Sequence, residues 1–190
     1  MKKGFTLIEL LIVIAILAVL ATAVVLVLNP AELLKQGRDS TRLSDLGALN
    51  SAISLWVADV SGSNWPAAAV TNCTGTSSKP GTTTGTCTVN TNTTSTGTGS
   101  WIPLNFSLIA AGSPLSKLPI DPNNGSTNCS RSTPAWCSYS FAASTTVGSY
   151  EIDAAMESAK FNSGGSGDVV SDDGGNNSTI YEIGSNLTLY

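Results

Sequence analysis

The sequence predicts an α+β chain: a long N-terminal helix, membrane-spanning in its first half and amphipathic in its second, packed against a small antiparallel β-sheet. Three observations predict it. From Phe5 to Leu28 only Thr6, Glu9 and Thr22 are polar. The next thirty residues repeat apolar side chains at helical spacing, and three segments near the C-terminus, "WCSYSFAA", "SYEIDAAMES" and "TIYEIGSNLTLY", alternate in the manner of half-buried strands.

The apolar run, as a helix rising about 1.5 Å per residue, is roughly 36 Å long and spans a bilayer core with some tilt. Lys2 and Lys3 precede it, which puts that end in the cytoplasm and sends the rest of the chain across. A secretory signal peptide shares the basic start and apolar core. Against it, the run is longer than such a core, the small-residue cleavage site expected after it is blurred in "ATAVV", and Gly4 lies before it. Glu9 is the anomaly. An isolated carboxylate in a membrane helix costs on the order of 2.5–3.5 kcal/mol, and no basic residue lies three or four positions away. Either Glu9 sits at headgroup level or its partner comes from outside the helix. A cut between Gly4 and Phe5 would create one, the α-amino group of Phe5 in another copy, and would predict self-association.

Beyond Pro30, which kinks the helix or follows a short break at Asn29, apolar residues recur at Leu43, Leu46, Leu49, Ile53, Trp56 and Val60. That is one face of an amphipathic helix ending near Gly62, with Asn64 and Pro66 as stop signals. Lys35, Arg38, Asp39, Arg42 and Asp45 fall on polar positions and read as a solvated face. Residues 61–190 form the head. Within it, residues 71–100 include 25 Thr, Ser, Gly or Asn, 13 of them Thr, a composition that buries no core of its own and reads as a loop or irregular ribbon. Sequons at Asn92, Asn105, Asn128 and Asn186 are what chance gives in so Asn-, Ser- and Thr-rich a chain. Order returns with a short helix at Phe106, Leu108 and Ile109, ending near Gly112, and with the extended turn "LPIDP". On the last strand but one, Tyr150, Ile152, Ala154 and Met156 face one way. Glu151, Asp153 and Glu157 face the other, toward solvent.

Composition removes several function classes. The net charge is −4, and −6 without Lys2 and Lys3, which argues against a nucleic-acid-binding surface. Histidine is absent, and with it the commonest general base and metal ligand. No G-x-S-x-G occurs, so no enzyme is expected. The four cysteines, Cys73, Cys87, Cys129 and Cys137, contain no C-x-x-C pair and follow the apolar segment, which favours disulfides in an oxidising compartment. Three connectivities exist; Cys73–Cys87 with Cys129–Cys137 is expected because each pair brackets a turn-rich loop. Asp168, Asp172 and Asp173, set among glycines in "GSGDVVSDDGG", suit calcium, with Asp121 able to join them. The alternative is a solvated acidic turn, and the spacing is not that of an EF-hand.

"KGFTLIELLIVIAILAVLA" resembles the N-terminus of type IV pilins and of the pseudopilins of type II secretion. The resemblance implies a pilin-like fold and a leader, residues 1–4, removed by a prepilin peptidase after Gly4, with methylation of the Phe5 amine. It implies that Glu9 pairs with the N-terminus of a neighbouring subunit, and that residues 5–60 form a helix whose first half, residues 5–28, builds the filament core. The partners implied are further copies of the chain, the peptidase, the inner-membrane assembly platform and its assembly ATPase. The chain departs from many members in having neither proline nor glycine within residues 5–28, so no helix melting is carried over. "LPIDP" is similar to a stretch of the major pseudopilins, some of which bind calcium in a loop corresponding to the Asp168–Asp173 region; no other cofactor is required. The expected function is a structural subunit of a pilus-like filament, a single-pass precursor in the cytoplasmic membrane that becomes extracellular. The alternatives are a pseudopilin of a secretion or DNA-uptake machine, or a non-polymerising, membrane-anchored binding domain.

Overall fold

The computed structural model describes residues 4–60, 62–75, 78–80, 86–89, 94–129 and 136–189. Lys2, Lys3 and Asn92 lie outside them, as does part of the Thr-rich stretch. The chain divides into two compact units, Met1–Leu34 and Lys35–Tyr190.

The first unit is built on helix α1, Leu7–Leu28. Its side chains are apolar all round and exposed where described, Leu7, Val19 and Val27 by 83%, 70% and 83%. A helix apolar on every face belongs in a protein core or in lipid. Thr22, its one polar residue near the middle, returns its hydroxyl to the Ala18 carbonyl at 2.5 Å, which leaves no donor for hydrocarbon to strand. α1 stops at Asn29, whose φ of +39° is left-handed, and Pro30 opens helix α2, Pro30–Asp59. Of the two readings of Pro30, the break at Asn29 holds: the Asn29 carbonyl accepts from Glu32 N at 2.9 Å and its side chain from the same amide at 3.4 Å.

In the second unit, α2 lays Leu46, Leu49, Ile53 and Trp56, all fully buried, against a five-stranded sheet. The strands are β1 (Val70–Cys73), β2 (Thr88–Val89), β3 (Tyr139–Ala143), β4 (Tyr150–Ala154) and β5 (Tyr181–Gly184), in the order β2-β1-β3-β4-β5. All neighbours are antiparallel except β1 and β2. Tyr139, Phe141 and Ala143 of β3 and Tyr150, Ile152 and Ala154 of β4 join the helix stripe. Trp101, Ile102, Leu104, Phe106 and Leu118 complete the core. Burying a side chain of this size contributes about 1.5–3 kcal/mol. The two buried tryptophans of this core that carry their N–H to a carbonyl, Trp56 to Asn105 at 2.9 Å and Trp65 to Ser144 at 2.8 Å, fix the loops they reach. Two disulfides close Cys73–Cys87 and Cys129–Cys137.

Three expectations are corrected. The stretch 71–100 opens as a strand, since Thr71, Asn72 and Cys73 pair with β3. β4 is buried on both faces, Glu151 and Asp153 included, and Glu157 just beyond it is buried too, because further chain covers the side turned from α2. The polar face of α2 is not uniformly solvated either, because Asp39 and Arg42 have no exposed surface. Buried positions on α2 run 39, 42, 46, 49, 52, 53, 56, so the stripe continues through two charged residues.

Burial of those charges is tolerated because they meet partners. Arg42 donates from Nη1 to Asp39 at 2.7 Å, from Nε and Nη2 to both oxygens of Asp121 at 2.7 and 2.8 Å, and from Nη2 to Glu157 at 2.6 Å. Arg38 adds a two-pronged contact to Glu157 at 2.9 and 2.5 Å. Asp39 also accepts from the amides of Glu157 and Ser158 at 3.0 and 2.8 Å. Removing one member of a buried ion network costs about 3–5 kcal/mol, since the others stay behind uncompensated. Arg42→Met is therefore expected to lower the melting temperature of the head by about 10 °C, measured by circular dichroism, whereas Lys35→Met should leave it within about 2 °C.

Candidate functional site

The N-terminal candidates come first. Gly4 and Phe5 precede α1 outside any helix or strand, exposed. Thr6 caps the helix and Glu9 closes a capping box with it. The Glu9 carboxylate accepts from Thr6 N at 2.8 Å and from its hydroxyl at 2.7 Å, while Glu9 N donates to the Thr6 hydroxyl at 3.3 Å. Thr-x-x-Glu ahead of an apolar run is the sequence signature of that box. It gives Glu9 a use inside its own helix, satisfying N–H groups that the first turn leaves orphaned. One oxygen, Oε2, takes both of these bonds.

The acidic candidates do not form one site. Asp121 is buried against Arg42 and accepts from Asn123 N, so it cannot join the loop aspartates as an ion ligand; Arg42 reached it first. Asp168 folds its own loop, accepting from the amides of Gly164 at 2.7 Å and of Val170 and Ser171 at 3.0 Å. Those backbone donors hold its carboxyl below the usual range. Asp172 is exposed. Asp173 accepts from Gly175 N at 2.9 Å and from Glu182 N at 2.8 Å. Asp168, Asp172 and Asp173 share one open cleft with Tyr181 and Glu182. A second cluster, missed from sequence, lies beside it: Glu151 and Asp153 on β4 and Glu182 on β5, all buried. Asp121 also lies near Cys129 and Cys137, but both sulfurs are in a disulfide and cannot serve as thiolate ligands.

Residues 1–25 match the family model for the prokaryotic N-terminal methylation motif. The chain carries a prepilin signal. Comparison with the curated proteins and comparison with the solved structures each found no match. The motif supports a type IV pilin-like or pseudopilin precursor, and α1 behind it is long and apolar enough to cross a membrane. Gly4, Phe5 and Glu9 lie within the matched residues.

Behind the prepilin signal, the head's own electrostatics are set by two groups of acids. Burial pushes the Glu157 carboxyl up, but the hydrogen bonds from Arg38 and Arg42 outweigh it and hold it below the usual carboxylate range. The buried cluster goes the other way. Burial, and then the neighbouring Glu151, raise Asp153 well above its ordinary value and push Glu182 up to about 7. A carboxyl raised in the folded state binds its proton more tightly there than in the unfolded chain, so stability falls as pH climbs through the window between the two values. In metal-free buffer the melting temperature of the head is thus expected to fall as pH rises from about 4.5 to about 7. Thermal melts should show Glu182→Gln and Asp153→Asn each reducing that fall. Glu157 acts with the opposite sign, and only below about pH 4.5.

Proposed function

We propose that this chain is a structural subunit of a type IV pilus-like extracellular filament. It is made as a single-pass precursor in the cytoplasmic membrane, cut by a prepilin peptidase between Gly4 and Phe5, methylated at the Phe5 amine and polymerised through α1 by the assembly platform and its ATPase. The observation that carries this is a conjunction. The methylation motif covers residues 1–25, and the helix that follows exposes apolar side chains on every described face with Glu9 as its only charge. Such a helix needs hydrocarbon before assembly and copies of itself afterwards. Loss of water-exposed apolar area supplies the cohesion. The charge of Glu9, costly when isolated, supplies register against the Phe5 amine of a neighbour. The head, with its two disulfides and its Thr-rich stretch, forms the exterior.

A second reading keeps the processing and changes the machine: a short pseudopilus of a secretion or DNA-uptake system. "LPIDP" and the acidic loop favour it, and electron microscopy of intact cells separates the two by the presence of long surface filaments. The test common to both is the mass and N-terminal sequence of the chain recovered from sheared or membrane material. The expected product begins at Phe5 and carries one methyl group. Glu9→Leu is expected to accumulate in the membrane at normal level yet vanish from filaments. A product starting beyond Leu28, or filaments undiminished in Glu9→Leu, would overturn the assembly mechanism.

A further inference from the structure

The outer face of the sheet holds three carboxylates that no cation among the described residues pairs with. Glu151 and Asp153 lie two residues apart on β4 and so project from the same face. Glu182 is the β5 partner of Asp153, and Ser140 is its partner on β3. All three acids are buried to 1% exposure or less. Each uses one oxygen in an ordinary hydrogen bond: Glu151 accepts from Leu189 N at 2.7 Å, Asp153 from the Ser140 hydroxyl at 2.6 Å, and Glu182 from Asn177 N at 2.9 Å. The second oxygen of each, Oε1 of Glu151, Oδ1 of Asp153 and Oε1 of Glu182, is shut off from solvent with no donor among the described residues. Ion pairs among the described residues belong to Arg38 and Arg42 and go to Asp39, Asp121 and Glu157; none reaches this cluster. Asp173, whose side chain accepts from the Glu182 amide, adds another carboxyl group beside Tyr181.

Three uncompensated buried carboxylates and three orphaned oxygens are a configuration proteins avoid unless something positive sits among them. We propose that Glu151, Asp153 and Glu182 bind a divalent cation of the calcium type. Each residue can offer one oxygen within 4.8 Å of those of the other two. Calcium takes six to eight oxygens at about 2.3–2.6 Å in a flexible geometry that three carboxylates on one sheet face can begin to supply, whereas magnesium demands a near-ideal octahedron at about 2.0–2.1 Å. The cleft that Glu182 shares with Asp168, Asp172 and Asp173 gives the ion a negatively charged approach. The loop above is fitted to the acid: a Cβ on Gly175 would run into the Glu182 carboxylate. The site differs from the set expected on sequence grounds, since Asp121 is spent on Arg42 and Asp168 on its own turn. The competing arrangement, in which the acids share protons instead of a metal, is separated by experiment.

The experiment uses the full chain in detergent, stripped with EGTA, dialysed free of chelator and titrated with calcium chloride by calorimetry and thermal melting at pH 7.5. One calcium ion per chain is expected, with a rise in melting temperature of about 5–10 °C when calcium stands a hundredfold above its Kd. Asp153→Asn and Glu182→Gln should abolish both effects, and Asp172→Asn in the exposed loop should preserve them. In metal-free buffer the first two variants should melt no lower than the wild-type chain, because each removes an uncompensated charge. No binding at several millimolar calcium would overturn the proposal in favour of shared protons. Binding that survives Asp153→Asn and Glu182→Gln but is lost in Asp172→Asn would move the ion to the loop and overturn it too. So would variants that melt well below the metal-free wild type, since the cluster would then not be uncompensated.

Discussion

The head is organised around one guanidinium. Arg42 leaves α2 at a position the hydrophobic stripe would give to a leucine and holds a carboxylate on its own helix, one in the "LPIDP" turn and one just past β4. It also lies 3.3 Å from the Cys129 sulfur. A planar group with five donors suits this, because it offers several acceptors fixed directions at once. Burying the charge is expensive and its partners only offset that expense. What the arrangement secures is therefore geometry more than net stability: helix, turn and sheet end are keyed to a single point. Arg38, which is partly exposed, extends the same pairing to Glu157 nearer the surface.

That key has a counterpart across the sheet. The α2 side of the second unit gathers cations and anions in contact, while the far side gathers Glu151, Asp153 and Glu182 without an ion pair among the described residues. One protein thus treats its buried acids in two ways, and among the described residues only the first set meets cations. Donors from β3, from the loop before β5 and from the C-terminal segment reach the outer carboxylates, so their positions are built, not left over from a loose surface.

Much of this was legible in the sequence, and the parts that were not share a cause. The apolar run, the break near Pro30, the α2 stripe from Leu46 to Trp56 and the three C-terminal strands follow from local periodicity, which a chain displays without reference to its fold. Asp39 and Arg42 were read as solvated because polarity normally marks the wet side. Their burial depends on Asp121 and Glu157, 79 and 115 residues from Arg42, and no local pattern encodes such partners. Glu151 and Asp153 misled in the same way: alternation on β4 is real, yet the covering chain comes from beyond residue 170. β1 and β2 hid in Thr-rich composition because a short paired strand needs its neighbour more than its own propensity. Thr6 and Glu9 are the exception, since their capping box stood in plain view and a search for charge partners looked past it.

The sheet has two rims, and both are closed to newcomers. β2 is two residues long and tied next to β1 through Cys87, too short to template another strand. On β5 the Glu182 amide is already taken by the side chain of Asp173, at the spot where an added strand would dock. Unprotected rims invite edge-to-edge pairing, and the hazard grows with crowding. Two such heads brought close together therefore meet, among the described residues, no open strand edge through which to zip into an amyloid-like stack.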